Sequence, residues 1–178
     1  MKFKIIFLVV IFLLTVPSYG QDMQNEPKVV KYVDLKKYAG LWYEIAKIPN
    51  RFQKHCKRGT TAQYKLLENG KIEVINSCIE EDGERDASEG VAQVVDASSN
   101  AKLEVSFVSI LGINLFWGDY WVIGLDDNYE YAVVGTPTRK YGWILSRTPK
   151  LSEEKLNEAF ELLKSQGYEP KKFEMSLQ

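Results

Sequence analysis

The sequence contains few of the residues that build metal centres and catalytic sites. Of its 178 residues one is histidine, His55, and two are cysteine, Cys56 and Cys78. Zinc sites combine several histidine and cysteine ligands, so one imidazole does not complete such a site. We therefore expect no metal and no cofactor. The formal net charge is only −1 at pH 7, which gives no indication of nucleic acid as a partner.

Long apolar runs are also scarce, and the main one lies at the start of the chain. Residues 5–16 are apolar, follow two lysines, and precede the small residues Ser18 and Gly20. This pattern is typical of a cleaved secretory signal, whereas a membrane-spanning helix needs roughly 20 apolar residues. We expect a signal peptide at 1–20 and a secreted or periplasmic protein. No cysteine lies near the cleavage site, so no lipid anchor is expected.

The remainder, 21–178, has the composition of a single folded domain. The whole chain is 45% hydrophobic and 12% aromatic, which argues against disorder. Export would place Cys56 and Cys78 in an oxidising compartment, where one disulfide is expected. The alternative is a Cys56 thiol activated by the adjacent His55, although neighbouring side chains in a loop seldom align as nucleophile and base.

Short strands with period-two alternation dominate the rest of the chain. The clearest signal is Asn69-Gly70, a hairpin turn between two alternating segments. Eight strands are expected to begin near residues 41, 60, 72, 88, 103, 120, 129 and 141, followed by an amphipathic helix at 153–166. This order predicts an all-β fold, an eight-stranded antiparallel up-and-down β-barrel with one C-terminal α-helix packed outside. A β-sandwich is the alternative.

Residues 110–117 form an apolar segment that is interrupted by Gly112. We consider four interpretations: a lid, an interface between two protomers, a contact with a membrane surface, or an extension of the flanking strands that buries half of the side chains. The sequence leaves the choice, and the oligomeric state, open.

Three separated motifs resemble the lipocalin family, and within it the bacterial lipocalin and apolipoprotein D branch. They are Gly40-Leu41-Trp42 at the first strand, residues 126–132 at the turn between the sixth and seventh strands, and residues 143–149 at the last strand. The resemblance implies that Arg147 lies across the indole of Trp42 at the closed end of the barrel. This pair would be structural rather than catalytic.

The resemblance also implies an apolar cavity that opens at the opposite end. Strand phase places Glu44 and Ala46 inside with Trp42. The resemblance adds ten wall residues: Ala62, Tyr64, Val74, Asn76, Val105, Phe107, Tyr120, Val122, Tyr141 and Trp143. Trp121 is also expected near the cavity.

The implied function is binding of a small hydrophobic ligand, a fatty acid or lysophospholipid, for transport or storage. The alternative is a lipocalin-fold enzyme acting on a lipid, with Glu44 as a proton-transfer group. A Glu44 carboxylate that is hydrogen-bonded by Tyr64 or another inward hydroxyl is the competing interpretation.

Overall fold

The computed structural model of the chain describes residues 26–178, so the expected signal peptide at 1–20 lies outside the described residues. The helices are α1 (Leu35–Tyr38) and α2 (Glu153–Ser165). The strands are β1 (Gly40–Lys47), β2 (Arg58–Leu66), β3 (Ile72–Ile79), β4 (Arg85–Val94), β5 (Lys102–Ser106), β6 (Val108–Ile110), β7 (Ile113–Leu115), β8 (Gly118–Leu125), β9 (Tyr131–Gly135), β10 (Gly142–Ser146) and β11 (Glu174–Met175).

Eight of these strands close into a barrel. Their order is β10-β9-β8-β5-β4-β3-β2-β1, and β10 pairs with β1 to complete the ring. Each neighbouring pair is antiparallel. The predicted eight-stranded antiparallel barrel is therefore confirmed. The sandwich alternative is wrong, because a sandwich consists of two separate sheets packed face to face.

Helix α2 lies against the outer wall of the barrel, as predicted. It begins after Ser152, whose Oγ accepts a hydrogen bond from the backbone N–H of Lys155. Ala159 and Leu163 of α2 are completely buried in a cluster that includes Val133 of β9. Within residues 26–178, no helix combines the length and the apolar character that crossing a membrane requires.

Strand β1 changes its partner halfway along. It pairs with β2 only as far as Tyr43, and its ladder with β10 slips between Glu44 and Ala46. Beyond this point β11 occupies the edge that β2 has left. Such a slip changes which side chains face inward. Glu44, which precedes the slip, lines the cavity as expected. Ala46, which follows it, packs outside the barrel with Ile144, so the expectation that Ala46 faces inward is wrong.

The two ends of the barrel differ. Helix α1 covers one end, and Asp34 caps it by accepting hydrogen bonds from the N–H groups of Lys36 and Lys37. The other end is surrounded by the connections β1 to β2, β3 to β4, β5 to β8 and β9 to β10. These four connections form the mouth of the barrel.

Candidate functional site

A cavity of about 770 Å³ extends from the mouth into the barrel. Its wall contains all ten residues named from the sequence: Ala62, Tyr64, Val74, Asn76, Val105, Phe107, Tyr120, Val122, Tyr141 and Trp143. Eight of them lie within strands and come together because alternate residues of each strand face the barrel interior. Phe107 and Tyr141 lie next to the ends of β5 and β10. The volume lies within the usual range for a small-molecule site.

Trp42 and Arg147 meet at the closed end. The guanidinium carbon of Arg147 lies 3.8 Å from the centroid of the indole, and Trp42 is fully buried. Partial burial lowers the pKa of Arg147, because removal of water disfavours its charge. The guanidinium also donates hydrogen bonds to four backbone carbonyl oxygens, those of Lys37, Tyr38, Leu41 and Tyr129. Arg147 thus joins α1, β1 and the β8 to β9 turn beneath the cavity.

Three tyrosine hydroxyls meet inside the cavity, and we call them the tyrosine cluster. The Tyr120 oxygen lies 2.7 Å from that of Tyr38 and 3.0 Å from that of Tyr64. Burial is the main cause that raises the pKa of Tyr64 to about 12, and it also raises the pKa of Tyr38 and of Tyr120. The cluster is therefore uncharged at neutral pH. Apolar core side chains surround it.

Glu44 carries a buried carboxylate at the cavity wall, with only 3% of the residue exposed. It accepts hydrogen bonds from Lys47 Nζ at 3.0 Å, Gln53 Nε2 at 2.6 Å and Ser176 Oγ at 2.6 Å. Tyr64, the partner expected from the sequence, bonds to Tyr120 instead. The carboxylate is therefore held by three donors from β1, the β1 to β2 connection and the C-terminal tail.

The connection between β1 and β2, residues 48–57, lies across the mouth, and we call it the mouth loop. Gln53 Oε1 accepts a hydrogen bond from Trp143 Nε1 at 3.2 Å. The ring of Phe52 lies 5.9 Å from the ring of Tyr141, centroid to centroid. These contacts attach the middle of the mouth loop to β10 and to the connection before it.

A disulfide between Cys56 and Cys78 fixes the far end of the mouth loop. The predicted pair is confirmed, and the free-thiol interpretation of Cys56 is wrong because its sulfur is bonded. In the described part of the chain, His55, Glu80 and Asp86 bring metal-ligand atoms within 4.8 Å of one another. His55 Nε2 lies 3.0 Å from Asp86 Oδ2, so an ion pair or hydrogen bond accounts for this approach.

Residues 107–117 form a hairpin that projects from the mouth, and we call it the mouth hairpin. Its strands β6 and β7 pair only with each other in a separate two-stranded sheet. Leu111 and Phe116 are 98% and 82% exposed. The strand-extension interpretation, in which half of these side chains are buried by the flanking strands, is therefore wrong. Leu111 and Gly112 both have positive φ, +51° and +80°, as a tight hairpin turn requires.

The structure also corrects one aromatic position and adds others. Trp121 packs outside with the cluster beneath α2, because its neighbours on β8 face inward. The Nζ atom of Lys102 lies 3.9 Å from the centroid of the Trp121 ring. Trp117 lines the cavity instead. Sequence reasoning missed Trp117, Tyr38 and Gln53 because they lie outside the regular strands, where alternation assigns no facing direction. The Asp34 cap could have drawn attention to Tyr38 at the end of α1.

Comparison with known proteins agrees with this geometry. A family model described as the lipocalin-like domain matches residues 33–178. The chain is 40% identical to temperature-induced lipocalin-1 of Arabidopsis thaliana, covering 82% of this chain and 80% of that protein. It is 40% identical to outer membrane lipoprotein Blc of Escherichia coli, covering 82% and 79%, and 35% identical to apolipoprotein D of Mus musculus, covering 94% and 91%.

Solved structures share the fold. Insecticyanin from Manduca sexta superposes with a TM-score of 0.68 at 26% identity, covering 84% of this chain and 82% of that chain. Lobster apocrustacyanin A1 has a TM-score of 0.64 at 17% identity, covering 82% and 79%, and shows likeness of fold alone. With the family model spanning nearly all of the barrel and relatives at this level of identity, the chain belongs to the lipocalin family.

Proposed function

We propose that the protein carries a fatty acid or a lysophospholipid in the barrel cavity, with the acyl tail pointing inward. The observation that supports this most strongly is the cavity of about 770 Å³, open at one end and lined mainly by apolar side chains. An acyl tail gains roughly 0.8 kcal/mol for each methylene that leaves water. The name of one relative, apolipoprotein D, is consistent with a lipid-handling role.

The mouth has the chemistry for a polar head group. Arg51 lines the cavity entrance together with Asp86 and Asp119. A fatty acid carboxylate would be attracted to Arg51. The phosphate and amine of a zwitterionic lysophospholipid would meet charges of both signs. The head group would remain near water, where ionised groups are least costly to place.

We propose a carrier rather than an enzyme. The titratable group of the enzymatic alternative is Glu44, and its carboxylate already accepts hydrogen bonds from Lys47, Gln53 and Ser176. A general base must reach the proton that it removes, and these three donors take most of the acceptor positions of the two carboxylate oxygens. Glu44 is thus better suited to fastening the mouth loop and the C-terminal tail than to proton transfer.

A chain-length series tests the carrier function. The dissociation constants of octanoic, dodecanoic and hexadecanoic acid should fall in that order until the cavity is filled. Val105→Trp adds bulk at a cavity-lining position and should weaken binding of the longest acid most strongly. Glu104→Trp, one residue earlier on β5, places the same side chain on the outer face and is the matched control. Equal affinity for short and long acids would contradict this proposal.

We further propose that the mouth hairpin contacts a membrane surface when cargo is exchanged. Leu111 and Phe116 are almost fully exposed at the end of the barrel through which cargo would pass. An exposed group of large apolar side chains marks an interaction site in soluble domains.

Vesicle sedimentation tests this contact. The double variant Leu111→Ser, Phe116→Ser should lose binding to phosphatidylcholine vesicles while its circular dichroism spectrum stays unchanged. Val95 is also exposed but lies between β4 and β5 at the closed end, so Val95→Ser is the matched control and should bind as the unmodified protein does. Unchanged sedimentation of the double variant would refute a role for the mouth hairpin in membrane contact.

We also propose that residues 1–20 direct export and are removed. The mature chain would begin at Gln21 rather than at a cysteine, and both cysteines form the disulfide, so a thioether lipid anchor has no attachment point. This would distinguish the protein from its relatives named outer membrane lipoprotein. The intact mass of the exported protein tests this: it should equal residues 21–178 with one disulfide, and an added diacyl mass would contradict the proposal.

A further inference from the structure

The tyrosine cluster holds more hydrogen-bond donors than its internal bonds use. Tyr38, Tyr64 and Tyr120 each carry one hydroxyl proton, and two hydrogen bonds link the three oxygens. Among residues 26–178, no other protein atom forms a hydrogen bond with these three hydroxyls. Two bonds engage two protons, so one of the three protons has no acceptor among residues 26–178.

This count does not depend on how the protons are arranged. If Tyr38 and Tyr64 both donate to Tyr120, the Tyr120 proton is left over. If Tyr38 donates to Tyr120 and Tyr120 donates to Tyr64, the Tyr64 proton is left over. If Tyr64 donates to Tyr120 and Tyr120 donates to Tyr38, the Tyr38 proton is left over. All three side chains line the cavity, so the unused donor is available to a molecule inside it.

The barrel floor does not require these hydroxyls. Trp42 and Arg147 already close that end, and apolar residues form the rest of the core around the cluster. Phenylalanine would supply the same ring packing without a polar atom to desolvate. An unused donor in an apolar environment costs free energy unless an acceptor meets it. Its presence therefore points to recognition of a ligand atom.

The acceptor that fits the cluster best is uncharged. The cluster lies among buried apolar side chains, an environment that disfavours negative charge, and desolvation there raises the pKa of all three tyrosines. Glu44, a nearby acidic side chain, raises the pKa of Tyr64 further. A carboxylate would meet the same unfavourable environment. A hydroxyl or carbonyl oxygen accepts a hydrogen bond at a much smaller desolvation cost.

We propose that the tyrosine cluster recognises a neutral oxygen, a hydroxyl or carbonyl group, on the inner part of the acyl tail. The cargo class is thereby narrowed to oxygenated acyl lipids, with the charged head group at the mouth and the tail oxygen at Tyr38, Tyr64 and Tyr120. This inference rests on the proposed carrier function. It adds a selectivity that an apolar cavity alone does not provide.

Matched pairs of acids test the inference by isothermal titration of the mature protein. Dodecanoic, tetradecanoic and hexadecanoic acid are each compared with the same acid carrying a terminal hydroxyl. The triple variant Tyr38→Phe, Tyr64→Phe, Tyr120→Phe keeps the three rings and removes the three donors. For the best-fitting chain length, the ratio of the two dissociation constants, hydroxy acid over plain acid, should rise about tenfold in the triple variant.

The outcomes separate this inference from the carrier function. If the plain acids bind tightly and the ratio of dissociation constants is the same in the unmodified protein and the triple variant, the role of the tyrosine cluster is overturned and the carrier function stays intact. A bound water that accepts the unused tyrosine proton would produce this result. Failure of every acid to bind the unmodified protein would overturn both.

A second measurement needs no variant and applies if the triple variant does not fold. The infrared stretch of the ketone in 15-oxohexadecanoic acid bound to the unmodified protein should lie below its value in hexane, because a donated hydrogen bond weakens the carbonyl bond. An unshifted stretch would overturn the inference.

Discussion

Replacing Arg147 tests how the closed end of the barrel is held together. The side chain makes two kinds of contact: its guanidinium lies over the indole of Trp42 at 3.8 Å, and it donates to four backbone carbonyl oxygens. Two of these carbonyls, of Lys37 and Tyr38, are at the C-terminal end of α1. Arg147→Ala removes both kinds of contact and uncovers Trp42.

The expected loss in the free energy of unfolding is about 2 to 3 kcal/mol. A desolvated cation–π contact contributes up to about 2 kcal/mol, and Arg147 is partly buried, so somewhat less is expected from the indole. The carbonyl oxygens regain hydrogen bonds from water once the side chain is gone, which limits their combined contribution to about 1 kcal/mol. For a domain of this size such a loss lowers Tm by about 5 to 10 °C.

Urea denaturation with the disulfide intact measures this loss, and two conservative variants separate its parts. Arg147→Lys keeps a charge over the indole but cannot reach four carbonyls at once, so it should lose about half as much as Arg147→Ala. Arg147→Met keeps the bulk and removes the charge and the donors, so it should resemble Arg147→Ala. An unchanged denaturation midpoint for Arg147→Ala would refute the stabilising role of the pair.

Three further predictions concern the disulfide, a turn and alkaline stability. The disulfide closes a sequence separation of 22 residues, so Cys56→Ser with Cys78→Ser should lower stability by about 3 kcal/mol, and the denatured, unreduced protein should show no reactive thiol; two titratable thiols would contradict the pairing. Gly40 has a φ of +101°, and an added Cβ would lie 3.3 Å from Arg147 Nη1, so Gly40→Ala should cost more than Gly70→Ala, where φ is also positive but nothing lies within 4 Å; equal losses would show that crowding by Arg147 is irrelevant. The raised pKa means that the folded protein holds the Tyr64 proton more tightly than the unfolded chain does. The resulting contribution of Tyr64 to the free energy of unfolding is fully present below pH 10 and is lost as the pH rises towards about 12. Tyr64→Phe should therefore flatten the fall of the urea midpoint over this interval, and an equally steep fall would contradict the raised pKa.

Much of the barrel was predictable because strand alternation is a local property. In β8, Tyr120 and Val122 face the cavity, as expected from the resemblance, and the same alternation sends Trp121 to the outer cluster. The hairpin at Asn69-Gly70 and the cap at Ser152 are likewise local signals, and both appear in the structure.

Other features depend on contacts between distant parts of the chain. The bulge in β1 moves Ala46 to the outer face, and it accompanies the arrival of β11 from the C-terminal end of the sequence. The hydrogen bonds of the tyrosine cluster join residues that are 56 and 82 positions apart in the sequence, and the hydroxyls of Tyr38 and Tyr64 are linked only through that of Tyr120. Neither arrangement can be recognised in the local sequence pattern. The bulge accompanies a strand that is distant in the sequence, and an alternating pattern does not distinguish tyrosine from phenylalanine at an inward position.

The most direct test of the carrier function is native mass spectrometry of the exported protein, taken as purified and again after delipidation and titration with hexadecanoic acid. The protein as purified should carry a single acyl lipid, and the delipidated protein should bind hexadecanoic acid one per barrel, with Val105→Trp weakening the complex and Glu104→Trp leaving it unchanged. A delipidated protein that forms no complex, or a complex of the same strength in Val105→Trp, would contradict binding of the acyl chain in the cavity.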